Sequence, residues 1–318
     1  MAKTKRYKPA NLTKVRTHSI KNRTTKVSLR QFASLPGADA AFPEFLSSLP
    51  DVLAVKGLRS LIDDIVTAKK NQRPVVAAFG GHVVKCGLGP VIIDLMRRGF
   101  ITAIAMHGAT AIHDYEISLI GQTSEDVKAV LKDGSFGMAR ETPQAFERAA
   151  NLASRKKIGL GRALGGLILS DKNTYSRFSV LATSAEIGMP AAVMLALGTD
   201  TVCMHPGFEA KKLAAASYID FRILASIAAD LEGGVWMNIG SAVVLPEVFL
   251  KALSVARNMG NRVEKFTTAN LDMNQHYRPN TNVVGRPTKR GYSITGHHEI
   301  MLPLLRMGII SAAEGKGL

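Results

Sequence analysis

The segment AMHGATAIHDYE, residues 105–116, places His107, His113, Asp114 and Glu116 within ten positions, directly after an apolar run and beside Gly108. An imidazole next to carboxylates has a tunable pKa and suits proton transfer, so the stretch reads first as an acid–base site. If a helix begins at the glycine, His113 and Glu116 lie three apart and share a face. Asp114 and Glu116 are then favoured near the positive end of that helix. His113, Asp114 and Glu116 are therefore the candidate catalytic groups. His107, His113 and Glu116 could also ligate a metal, but their spacing matches no zinc pattern such as HExxH, and no metal is assigned. GHHEI (296–300) and HPGFE (205–209) add further His/Glu pairs without diagnostic spacing. Histidines simply hydrogen-bonded at a helix start or a subunit contact fit the same residues.

The elements around the segment must position it. PVVAAF (74–79) is a short Val- and Ala-rich run of the kind found in strands buried on both faces. A glycine-rich turn follows, then PVIIDLMRRG, which reads as a helix with Pro90 in its first turn and Gly99 beyond its end. FITAIAM (100–106) is a second buried strand. Strand, glycine loop, helix and strand in that order predict parallel pairing. GVWMNIG (234–240) and RVEKFTTAN (262–270) read as two more strands, and several Ala-rich segments as helices. The expectation is an α/β chain with a single Rossmann-like doubly wound domain, its mostly parallel sheet covered by helices on both faces.

Open α/β sheets bind ligands at the carboxyl ends of their strands. The predicted ends are Gly80, Gly81 and His82; His107, Gly108 and Ala109; Gly240, Ser241 and Ala242; and Thr267, Thr268, Ala269 and Asn270. All four are small, polar or glycine-rich, which lets a phosphate or sugar approach the backbone. The first loop has glycines at 80, 81, 87 and 89 rather than GxGxxG, and the second strand ends without an acid for a ribose hydroxyl. Both departures argue against an ordinary NAD dehydrogenase half.

Composition bounds the rest. The chain has 318 residues, 46% of them hydrophobic and 21% charged, in keeping with a substantial core. No apolar run reaches the roughly 20 residues of a membrane span, and the basic start has no apolar segment of a secretory signal. The two cysteines, Cys86 and Cys203, make neither a disulfide framework nor a CxxC zinc site and read as reduced thiols in a cytoplasmic protein. The net charge is +16, and residues 1–30 hold ten Lys or Arg and no acid, so the remaining 288 carry only +6. Residues 1–30 are expected to be a mobile basic extension, with 31–318 as the domain. As an arm it would suit nucleic acid or an acidic partner, but its one aromatic, Tyr7, gives no stacking platform.

Laid in order, the blocks FGGHVVKCGLGPVIIDLMRRGFITAIAMHGATAIHD, GSAVVLPEVF, TTANLD and GHHEIMLPLL resemble the deoxyhypusine synthase family over about residues 70–310. They stand where that family has a Thr-Ser-Asn turn followed by a Thr-Ala-Gly-Gly turn, then a triple-glycine turn, an Asn-Thr-Ala-Gln-Glu segment, and an Asp-Ala-Ser helix start before Phe-Pro-Leu-Leu. The resemblance implies an NAD-binding homotetramer with pockets at subunit contacts, acting on an amine or polyamine. It assigns the cofactor loops to Gly81, His82, His107, Gly108, Ala109, Gly240, Ser241, Thr268, Ala269, His297 and His298.

The family's imine-forming lysine falls in NTNVVGRPTKRG, where Arg286 is the aligned residue and Lys289 lies nearby. A guanidinium stays protonated and forms no useful imine. LPE (Leu245, Pro246, Glu247) stands where the family has a histidine, and Glu186 is the one acid in SAEIGMP. The resemblance therefore implies a divergent member with altered chemistry, an amine oxidation or aminoalkyl transfer, rather than a deoxyhypusine synthase proper. A metal-assisted hydrolase or lyase using the His/Asp/Glu sets, and a non-catalytic binding protein on the same scaffold, remain as alternatives.

Overall fold

The computed structural model describes residues 7–315. From residue 7 to residue 30 every residue is exposed, and regular structure is limited to short 3-10 turns. The part of the basic extension before residue 7 lies outside the described residues.

The helices and strands run α1 (Phe42–Ser48), α2 (Leu53–Lys70), β1 (Val75–Phe79), α3 (Gly81–Lys85), α4 (Gly89–Arg97), β2 (Ala103–His107), α5 (Gly108–Ile120), α6 (Val127–Val130) and α7 (Glu141–Lys156). They continue as α8 (Leu160–Ser170), α9 (Val180–Glu186), β3 (Ala191–Met194), α10 (Ala210–Ala229), β4 (Val235–Ile239), α11 (Val244–Asn258), β5 (Thr267–Asp272), α12 (Tyr277–Pro279), β6 (Arg290–Thr295) and α13 (His298–Ala313). A short π-helical stretch, Asn280–Gly285, joins α12 to the approach to β6.

The sheet order is β3-β2-β1-β4-β5-β6, and every pairing is parallel. The order reverses between β1 and β4, which makes that junction the topological switch point. The chain is thus an α/β protein with a Rossmann-like doubly wound sheet.

The strand compositions explain the layers. All five residues of β1 are buried, and alternate side chains feed opposite cores. Val75, Ala77 and Phe79 join the larger core, which includes Ile62, Ile92 and Ile112 from α2, α4 and α5. Val76 and Ala78 join the second core with Leu224 of α10 and Phe249 of α11. There Trp236 stacks on Phe249 with ring centroids 4.3 Å apart, so the single tryptophan is core, as its place in a strand implies. Gly99, at φ 70°, adopts the left-handed conformation that lets the chain turn from α4 towards β2, as its place after the helix predicts.

Two strand ends differ from the sequence reading. The strand expected over 262–270 spans Thr267–Asp272, and the chain forms β3 and β6 in segments that periodicity did not mark.

Candidate active site at the switch point

The carboxyl ends of β1 and β4 meet closely. Gly80 donates its N–H to Ile239 O at 2.9 Å, and Gly240 donates to Leu271 O at 3.0 Å. A Cβ at Gly80 would lie 2.2 Å from Gly240 O, so a side chain there would wedge the two loops apart. Gly240, at φ 62°, also leaves room for the His298 ring, 2.7 Å from where its own Cβ would stand.

Three imidazoles, His107, His82 and His298, gather at this junction. His107 ends β2 and caps α5, with its Nε2 3.5 Å from the space above Gly80. Burial, reinforced by the neighbouring His113, pushes its pKa down to about 4. His82 lies in α3, and its ring meets that of His298 edge-on at 5.6 Å. The His298 Nε2 lies 3.1 Å from Leu271 O; because a carbonyl only accepts, Nε2 carries the proton and Nδ1 the lone pair. That Nδ1 is buried and has no hydrogen-bond partner among the described residues. His297 caps α13 and is exposed.

His113 is held by a relay. Its Nδ1 lies 2.7 Å from Thr123 Oγ1, and Thr123 donates to Glu116 Oε2 at 2.5 Å. A hydroxyl donates once, and the carboxylate can only accept, so Thr123 must accept from the His113 Nδ1–H. This fixes the tautomer and leaves the lone pair on Nε2, 3.6 Å from the space a Cβ would take at Gly81. Burial alone would raise the Glu116 pKa, but the His113 imidazole, 3.6 Å away, and the hydrogen bond from Thr123 bring it below the ordinary value. His113 and Glu116 are three apart on one face of α5, as their spacing predicts, and both line a cavity of about 260 Å³ with Lys85, Ile112, Glu125 and Phe136.

Other sequence-derived candidates take different places. Asp114 is 1% exposed and points away from the junction. Its carboxylate accepts from Ser179 Oγ at 2.5 Å, Val180 N at 2.8 Å and Leu181 N at 3.1 Å, closing the start of α9. Burial raises its pKa to about 6 against those three donors. Thr268 and Ala269 are the second and third residues of β5, both fully buried, so Asp272 rather than these two stands at the carboxyl end. Their place corrects the strand-end assignment.

Arg286 is likewise displaced. It donates to Asn282 Oδ1 at 2.9 Å and stands before the first residue of β6. It lines a depression of about 830 Å³ with Arg257, Lys265 and Lys289 at the amino edge of the sheet. Six strand residues at about 3.3 Å each put that edge roughly 20 Å from the switch point. Arg286 and Lys289 therefore do not join the histidines.

Gly108 and Ala109 open α5, but the start of that helix is occupied from within. A Cβ at Gly108 would fall 1.9 Å from Asp200 Oδ2, and the Asp200 carboxylate accepts from Ala196 N at 2.7 Å and from the Ala109 N–H. Nothing in the residues around Asp200 marks this contact, because it is made across the sheet ends.

Sequence reasoning also missed a buried polar row. Asn238 Nδ2 donates to Asn270 Oδ1 at 2.8 Å and to Ser241 O at 2.9 Å, and Asn270 donates to Gln275 Oε1 at 2.7 Å. Among the described residues, Asn238 Oδ1 is buried without a partner beside the Gly240 and Ser241 turn. An asparagine in an otherwise apolar strand, VWMNI, was the available signal.

Sheet order, switch point and strand-end loops define the class: a doubly wound, Rossmann-like α/β fold with its candidate site in the crevice between β1 and β4. No family profile and no curated protein matches the sequence. Among solved structures, the chain is similar to a candidate deoxyhypusine synthase from Entamoeba histolytica, at TM-score 0.53 and 10% identity over 86% of this chain and 95% of that one. It is similar also to a candidate LOR/SDH protein from Methanococcus maripaludis, at TM-score 0.52 and 15% identity over 80% of this chain and 69% of that one. AgrE, solved as a ternary complex with ornithine and NAD+, matches at TM-score 0.52 and 13% identity, with 82% of this chain covering 34% of AgrE. The chain thus spans about a third of the length of AgrE. At these identities the likeness is one of fold.

Proposed function

We propose that the chain is an NAD-binding enzyme with a deoxyhypusine synthase-like fold that oxidises an amine or polyamine or transfers its aminoalkyl group. The observation that carries this reading is the Glu116–Thr123–His113 relay, which orients the His113 ring with its Nε2 towards the switch-point loops. The fold it shares with AgrE, a protein solved with ornithine and NAD+, supports the cofactor and the substrate class.

The residues fit a dinucleotide at the β1–β4 side. Gly81, His82 and Ser241 border the crevice, and the unpartnered Asn238 Oδ1 offers an acceptor next to the β4 turn. They fit it less well at Gly108 and Ala109, where the Asp200 carboxylate already takes the Ala109 N–H at the start of α5.

Bound NAD would supply a hydride acceptor for a C–H next to nitrogen. His113 Nε2 takes a proton from the substrate ammonium, which frees the nitrogen lone pair. Thr123 and Glu116 hold the ring in its tautomer and stabilise the imidazolium as it forms. His107, kept neutral by burial, can hydrogen-bond without adding a charge that would repel an ammonium. The cavity of about 260 Å³, with Glu116 and Glu125 in its wall, suits a small cationic amine better than a whole dinucleotide. Asp114 supports this site by holding α9, and Arg286 takes no part in it. A homotetramer in the cytoplasm, with residues 31–318 as one domain and the basic extension as an interaction arm, completes the proposal.

The test is thermal unfolding with NAD, followed by NADH formation over a panel of diamines, polyamines and basic amino acids. A ligand at about 100 times its Kd adds roughly 2.7 kcal/mol, a shift of several degrees. No shift with NAD and no NADH from any amine would overturn the reading.

A further inference from the structure

Outside the relay, a second set of donors converges at the mouth of the crevice. Cys86 caps α3 four residues after His82, one helical turn on, and His82 Nε2 lies 3.2 Å from Cys86 Sγ. Glu299, in the first turn of α13, brings a carboxylate oxygen to the same point, and all three donor atoms lie within 4.8 Å of one another. Two segments more than 200 residues apart in sequence thus deliver a nitrogen, a sulfur and an oxygen to one spot.

These distances suit a small divalent ion. Bonds of about 2.0–2.3 Å in a tetrahedral site separate ligand atoms by roughly 3.3–3.8 Å, within reach of small side-chain adjustments here. Imidazole, thiolate and carboxylate together select a borderline-soft cation, zinc before magnesium or calcium. A further observation points to a ligand at this place. His298 is 1% exposed, its ring stands 5.6 Å from that of His82, and its Nδ1 lone pair has no partner. A buried acceptor of this kind is normally satisfied by a proton from water or a ligand.

We infer that His82, Cys86 and Glu299 form a zinc site with three protein ligands and a fourth position open to the switch-point crevice, beside His298. Three ligands and an open position are the arrangement of catalytic rather than structural zinc. Such an ion would hold water or a substrate heteroatom at the mouth of the same crevice. The site does not depend on NAD binding, and its test reads the metal directly.

The full chain, purified without added metal, is analysed for zinc, stripped with a chelator and titrated with Co²⁺. One equivalent of Co²⁺ with a thiolate charge-transfer band and the intense visible bands of tetrahedral cobalt is the expected result. Cys86→Ser should lose the charge-transfer band, and Glu299→Gln and His82→Gln should each weaken binding by at least about tenfold. His113→Asn should leave the spectrum unchanged. Each variant is first checked for folding by circular dichroism. A folded wild-type chain that binds no zinc or cobalt overturns the inference. So does binding that survives Cys86→Ser with its spectrum intact, or that is lost in His113→Asn.

Discussion

His107 offers a way to examine the site without knowing the substrate. Its imidazole has an ordinary pKa of 6.5 and is held at about 4 in the folded chain, first by burial and then by His113. On unfolding, the ring regains its ordinary affinity and takes up a proton whenever the pH is below about 6.5. Its contribution to stability is therefore full above that value and is lost as the pH falls towards about 4. From about pH 7.5 to about pH 5, some 1.5 units at about 1.4 kcal/mol each give a loss of about 2 kcal/mol.

Asp114 and Asp220 work in the opposite sense. Burial raises their pKa values to about 6 and about 7, so the native state keeps protons that the unfolded chain releases. Their contribution falls as the pH rises, and the total profile mixes the two trends. The informative quantity is the difference between wild type and His107→Asn, a variant that still suits the helix-cap position and does not titrate. Urea unfolding at both pH values should show wild type losing about 2 kcal/mol relative to the variant on acidification. A parallel pH response in the two proteins, or an NMR titration of His107 near its ordinary value, would refute the reasoning.

Three further outcomes follow from the geometry. Asp114→Ala strands two buried backbone N–H groups at the start of α9, and should lower stability in urea by roughly 3–5 kcal/mol. Thr123→Val removes the link between His113 and Glu116; with an amine substrate in hand, kcat should fall about 10–100-fold while NAD affinity, read by thermal shift, stays the same. Arg286→Ala should leave the NAD-induced thermal shift unaltered, since the side chain lies at the opposite edge of the sheet; loss of the shift would put the cofactor site there instead.

The two strands that lead into the His107–Glu116 segment were legible because β1 and β2 are buried and read as short apolar runs bounded by glycine. The pairing of His113 with Glu116 was legible from helical spacing. Thr123 was not, because it lies beyond the end of α5, after Gly121 turns the chain. The strand β3 is four residues, Ala-Ala-Val-Met, too short and too Ala-rich to separate from a helix by periodicity. At the sheet edge, β6 has one buried residue in Arg-Gly-Tyr-Ser-Ile-Thr and so lacks an apolar pattern. Missing β6 left the approach to it, with Arg286, free to be placed near the histidines by alignment alone. Asp200, Glu299 and Asp114 act through contacts made across the fold, and local spacing carries no trace of such contacts.

The carboxylate of Asp200 has a bearing on which nucleotide the crevice would admit. In doubly wound folds the end of β2 is where the adenosine ribose is read at its 2′ position. Here that end opens into a helix whose positive pole is already neutralised by the chain's own acid, 1.9 Å from where a Gly108 Cβ would be. A 2′-phosphate arriving there would find the Ala109 N–H already taken and a like charge in its path. The fold would then act as a sieve for the unphosphorylated ribose, built without the acid that usually ends β2. NADP should accordingly give a smaller thermal shift than NAD, and equal shifts would mean that the ribose lies elsewhere. Selectivity of this kind would come from a residue supplied after β3, so it could be tuned by changes in that loop while both strands of the crevice stay as they are.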